Sequence, residues 1–185
     1  MYTAIHRQQI LMLASNAIQH GLEYCERIKV DHRSYPDPLL EPKATFVTLK
    51  LEDNLRGCMG NLIAREPLVE SVAGNTFNAA FHDPRFPGLE PEEVQRVSVS
   101  VSVLSESERI IANSEQELLA QLVPHVDGLI LKEGTRSSTF LPDVWNTITE
   151  PEDFLKELKR KAGLPENYWS KSLVCERYAT VSIGR

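Results

Sequence analysis

Apolar side chains recur at helical spacing near the start of the chain, at Ile10, Leu13, Ala14, Ala17 and Ile18, so a first helix buries one stripe. Thr3 supplies its N-cap, and Gly21 is placed to stop or weaken it. Residues 32–38 hold Pro36 and Pro38, which suit neither helix nor central strand, and read as an extended connector. Phe46, Val47, Thr48 and Leu49 favour a strand within 44–51. Glu52, Asp53 and Asn54 then turn the chain into a second strand over 55–59, which makes a hairpin.

Pro67 fits the first turn of a helix whose positions Val69, Val72, Ala73, Phe77 and Ala80 share one side. Pro84 excludes helical backbone by about Asp83, so this helix delivers His82 and Asp83 to its C-terminal end. Val97, Val99, Val101 and Val103 alternate with Ser98, Ser100 and Ser102, the clearest period of two in the chain. The valines need cover; the serines suit solvent or a polar binding face.

A short helix over 114–122 precedes strands at 126–131 and 136–141, joined by a turn at Glu133-Gly134. Thr149 and Glu152 form a capping box for a helix that Gly163 closes, and the last strand spans 173–183. Helices mixed with hairpins predict an α+β fold with mixed, largely antiparallel sheets. The chain reads as a single domain over 1–185, with 1–40 as helix and connector, and has room for a large lobe plus a smaller one.

Composition narrows the function. With 42% hydrophobic and 25% charged residues, the 185-residue chain has the make-up of an ordinary folded domain. A net charge of −6 opposes the positive field that non-specific nucleic-acid binding needs. The basic run Lys159-Arg160-Lys161 falls in a helix with Glu152, Asp153 and Glu157 and reads as a solvated face. Cys25, Cys58 and Cys175 have no disulfide or zinc spacing, which fits a reducing cytoplasm. No 18-residue apolar run is present, so no membrane span is expected, and His6, His20, His32 and His125 show no metal-ligand spacing.

The strand at 44–49 followed by Leu55-Arg56-Gly57-Cys58-Met59-Gly60 resembles the signature of the AMMECR family. Further blocks match in family order: 79–87 with Phe81-His82-Asp83-Pro84-Arg85-Phe86-Pro87, 99–104, 126–131, Thr139-Phe140-Leu141-Pro142, and 158–164. The likeness spans roughly residues 40–183. Met59 stands where isoleucine is usual, and serine precedes Thr139 where the family tends to place glycine. The resemblance implies a mixed α/β fold and, in microbes, association with Memo-like and radical-SAM-like proteins in the AmmeMemoRadiSam group. It supplies no catalytic residue and no cofactor.

The signature itself has a physical reading. Strand alternation puts Arg56 and Cys58 on one face, a cation favours thiolate, and Gly57 and Gly60 leave room for a ligand against the backbone. Cys58 is then a candidate nucleophile, Arg56 its stabiliser and His82 a general acid/base. In the plainer reading Cys58 is a small packed residue, the glycines serve packing, and His82 and Asp83 close a helix. A binding module for an anionic ligand, nucleotide or partner segment is the alternative, with Arg56, Gly57, Gly60, Asp83, Arg85, Arg136 and Thr139 as candidate contacts.

Overall fold

The computed structural model describes residues 2–184 and divides into two compact units, one running to Leu104 and resuming at Val181, the other spanning Ser105–Thr180.

The first unit opens with α1 (Ala4–Tyr24). Thr3 Oγ1 accepts the His6 N–H at 3.2 Å, and His6 Nδ1 accepts the Thr3 N–H at 3.5 Å, a reciprocal cap. Gly21 does not stop this helix. It lies inside it, where a Cβ would sit 2.3 Å from the Phe81 ring, and the αL residue that ends the helix is Cys25, with φ 56°. Residues 32–38 are less extended than expected: a 3₁₀ turn, His32–Ser34, is capped by Asp31, and Pro38 falls in the first turn of α2 (Asp37–Leu40), where a missing N–H costs nothing.

Strands β1 (Thr45–Leu51) and β2 (Asn54–Gly60) form the hairpin. Glu52 and Asp53 both have positive φ, 50° and 65°, the conformation a two-residue hairpin turn needs to match strand twist. Helix α3 (Leu68–Phe81) follows Pro67, then comes β3 (Val97–Leu104).

The second unit holds β4 (Glu108–Ile110), α4 (Glu115–Leu119), β5 (Gly128–Glu133), β6 (Arg136–Phe140), α5 (Pro151–Lys161) and β7 (Val174–Tyr178). The final strand, expected over 173–183, is two strands. The chain leaves β7 at Ala179 and joins the other sheet as β8 (Thr180–Ile183), giving orders β2-β1-β3-β8 and β4-β7-β5-β6. The α+β class holds, and every strand pair resolved within the two sheets is antiparallel.

Register fixes what each face of the first sheet carries. Val47 pairs with Met59 and Val101, and Leu49 with Gly57 and Val99; this row shares a core with Ile10, Leu13 and Ile18 of α1 and Val69, Val72 and Ala73 of α3. Each fully buried aliphatic side chain contributes roughly 1.5–3 kcal/mol. The opposite face receives Thr48, Cys58 and Ser100 in one row across three strands.

In the second unit Trp145 stacks flat on Phe154 at 3.8 Å, within a core that includes Leu129, Leu131, Leu155 and Leu158. Lys159 corrects the reading of a solvated basic face. It is fully buried, its Nζ 2.6 Å from a Glu115 carboxylate oxygen and 3.0 Å from the Glu166 carbonyl. The capping box at Thr149 does not form either; Glu150 is the N-cap, and Pro151 begins the helix with no side-chain bond to its end. No helix of the described residues is long and apolar enough to cross a membrane.

Candidate functional site

Strand β2 lies at the edge of its sheet, so alternate residues direct their main-chain N–H and C=O away from β1. Cys58 is one of these. Its N–H donates to Asp83 Oδ2 at 2.8 Å, and its carbonyl accepts from Arg85 Nη2 at 3.2 Å. A carboxylate and a guanidinium thus take the place of a neighbouring strand.

The end of α3 sets this up. Helical backbone stops at Phe81, His82 is the C-cap, and Phe86 N–H closes a turn on the Asp83 carbonyl at 3.1 Å. Asp83 is buried and accepts from the Arg85 main chain at 3.1 Å, from Arg85 Nε at 2.9 Å, from Arg85 Nη2 at 2.6 Å, and from Cys58. The Arg85 hydrogen bonds outweigh burial and hold the Asp83 carboxyl well below the usual range, while Asp83, and to a lesser degree the neighbouring Cys58 thiol, push Arg85 up. Arg85 remains half-exposed and lies over the Phe86 ring at 5.5 Å.

Arg56 goes elsewhere. The ladder slips between Leu49 and Lys50, whose partners are Gly57 and Leu55, and Arg56 is the unmatched residue between them. Alternation fails at that bulge: Arg56 is buried and Leu55 exposed. Its guanidinium binds Glu93 through Nε at 2.7 Å and Nη2 at 2.8 Å, and the carbonyls of Pro87 and Gly88 at 2.9 and 3.1 Å. With four hydrogen bonds made, it is a strap for the loop after α3.

The glycines answer to neighbouring atoms within the fold. A Cβ on Gly57 would lie 2.1 Å from the Ala79 carbonyl oxygen, and one on Gly60 would lie 2.4 Å from the Phe46 ring. His82 is exposed and sets its ring edge-on to Phe77 at 5.1 Å; none of its contacts reaches Cys58. The polar side chains beside the half-buried thiol are Thr48, whose Oγ1 is 3.4 Å from Sγ, and Arg85. Thr48 belongs to the strand of the signature but not to the candidate contacts read from it, although its place in the hairpin register opposite Cys58 is a signal for it.

Arg136 and Thr139 belong to the second unit, with their hydrogen bonds made there. Arg136 donates to the Gly163 carbonyl at 2.9 Å, and Thr139 bonds the Leu129 carbonyl at 3.0 Å and the Tyr178 hydroxyl at 2.8 Å. Among the described residues no three His, Cys, Asp or Glu side chains are placed to share a metal ion.

Comparison with known proteins adds relatives. The AMMECR1 family model matches residues 11–183. The protein MK0488 of Methanopyrus kandleri is 34% identical, covering 91% of this chain and 82% of its own length. A Thermotoga maritima protein is 34% identical over 89% of this chain and 91% of its own. The crystal structure of the uncharacterized protein PH0010 from Pyrococcus horikoshii superposes with a TM-score of 0.87 at 31% identity, covering 94% of this chain and 88% of that one.

Proposed function

This chain belongs to the AMMECR1 family, and from that premise we propose that its first unit is a binding module for a small anionic ligand held beside Cys58. The observation that carries this reading is the Asp83–Arg85 pair: the carboxylate fixes the guanidinium through two hydrogen bonds, with a third from the Arg85 main chain, yet about half of the Arg85 side chain stays exposed next to the thiol. A preorganised cation of this kind offers charge-assisted hydrogen bonds without the entropy of ordering a free arginine. Thr48 and Ser100, in register with Cys58, add hydroxyl groups on the same sheet face.

A thiol enzyme is the second reading, favoured by the Thr48 hydroxyl 3.4 Å from Sγ and by the cation alongside. Here Cys58 is the nucleophile, and a proton acceptor other than His82 has to come from the substrate or solvent. Memo-like and radical-SAM-like proteins are the proposed partners in either case, on the family resemblance, to be sought by copurification.

The test follows alkylation of each cysteine by iodoacetamide, by mass spectrometry, with inorganic phosphate or citrate as the anion. Anion binding should slow Cys58 selectively and saturably, leaving exposed Cys25 unchanged and Cys175, which burial shields, unreactive. Arg85→Gln should abolish the protection, and Cys58→Ser should still bind the anion by calorimetry. Equal protection in wild type and Arg85→Gln would sink the binding reading. Cys58 reacting far faster than Cys25 below pH 7 would move the thiol enzyme ahead.

A further inference from the structure

In the second unit a groove of about 400 Å³ opens between β4 with the residues that follow it and the 169–173 segment. Its size is that of a small-ligand site. Trp169 and Leu173 are half-buried against the core, and Ile110 is buried in it, so this side of the groove is built on fixed side chains. Ile111, 72% exposed, lines it too. Trp169 Nε1 donates to the Asn113 carbonyl at 3.2 Å, which sets the indole's orientation and leaves its π surface as the feature it can offer.

Two cations line the same groove, Arg109 and Lys171. Elsewhere in this unit the described arginines and lysines are engaged: Lys132, Lys156, Lys159, Arg160 and Arg177 with carboxylates, Arg136 and Lys161 with main-chain carbonyls. Arg109 and Lys171 are the two whose side chains make no hydrogen bond or ion pair. Arg109 stands opposite Glu176 in the ladder and, after Lys132, its charge helps hold that carboxyl down, but the hydrogen bonds to the carboxylate come from Lys132 and Ser107, both at 2.9 Å or less. Two cations without a hydrogen-bonded partner, lining one concave site beside an indole and an exposed isoleucine in a chain of net charge −6, are an arrangement with a specific complement.

We propose that this groove is a second ligand site, taking an organic anion with a flat ring: a phosphate or carboxylate on Arg109 and Lys171, and the ring against Trp169 and Ile111. The site owes nothing to Cys58 or Arg85 and stands or falls independently of them.

The chain has two tryptophans, so two indole N–H signals report on binding in a ¹H–¹⁵N spectrum, with Trp145 in the core as the internal reference. Trp169→Phe assigns them. Titration with 1-naphthyl phosphate should move the Trp169 signal saturably and leave Trp145 in place. Affinity should fall at least about tenfold in Arg109→Gln/Lys171→Gln, whose exposed positions keep the fold intact, and by a similar factor for neutral 1-naphthol. The proposal is overturned if the Trp169 signal does not move at several millimolar ligand, if the double variant binds as tightly as wild type, or if inorganic phosphate alone binds as well as the naphthyl ester.

Discussion

Asp83 shows how one side chain can decide what its neighbours are for. Two of its four hydrogen bonds come from the Arg85 side chain and one from Cys58, so the same carboxylate finishes a sheet edge and aims a guanidinium. Its carboxyl is held below the ordinary value near 3.8, so the ionised clamp contributes stability at pH above that value and loses it as pH falls below. Asp83→Asn keeps an acceptor for Cys58 but gives up the charge, and should cost about 1–3 kcal/mol at neutral pH. Since the variant has no carboxylate to protonate, its thermal midpoint should also fall less steeply than wild type on acidification below pH 4. An unchanged midpoint at pH 7 would mean that water replaces the clamp at no cost. The Asp-Pro-Arg order in sequence shows that a loop cation is available, whereas its arrival at Cys58 depends on where α3 ends.

At the scale of elements, β2 is an edge strand, and bare edges invite pairing with other chains. Here Asp83 and Arg85 close the edge at Cys58, and the Arg56 side chain ties β2 to Glu93 and the loop after α3. That is a structural duty for much of the signature motif, and it explains the glycine at its centre. Gly57→Ala would drive a methyl group into the Ala79 carbonyl of α3, a backbone atom that cannot swing aside. A loss of about 1–3 kcal/mol or more in chemical denaturation is expected, and a wild-type midpoint would show that β2 and α3 can separate. The hairpin and β3 were legible because period-two patterns and turn residues act locally. Strand β4 was not: Glu108-Arg109-Ile110 carries no alternation, and only its ladder with β7 makes it a strand. Lys159 misled in the same way, since its burial depends on Glu115 arriving from another element.

For the whole molecule the decisive feature is that the first unit is discontinuous. Its sheet is completed by β8, 76 residues after β3 leaves off, with Ile183 buried in its core and Arg7 donating to the Ser182 carbonyl at 2.9 Å. Ending the chain after Thr180 should therefore destabilise the sheet built from β1, β2 and β3 by at least about 2 kcal/mol, and leave the β3 edge bare. A melt identical to full length would show that β8 is dispensable. Tryptophan fluorescence reports the second unit separately, because both Trp145 and Trp169 lie in it.

Local pattern along the chain was enough for the α+β class, the first hairpin, the span of α3, the β3 pattern and the family, because these rest on propensity, periodicity and motif, all written within a few residues of one another. Tertiary structure decided the rest. The bulge turned Arg56 from Cys58 to Glu93, the turn after α3 brought Arg85 to the thiol instead, the last strand divided between two sheets, and Arg109 and Lys171 were left facing one groove. Each of these depends on which distant group satisfies a charge or a main-chain hydrogen bond, and that is fixed only when separate elements meet.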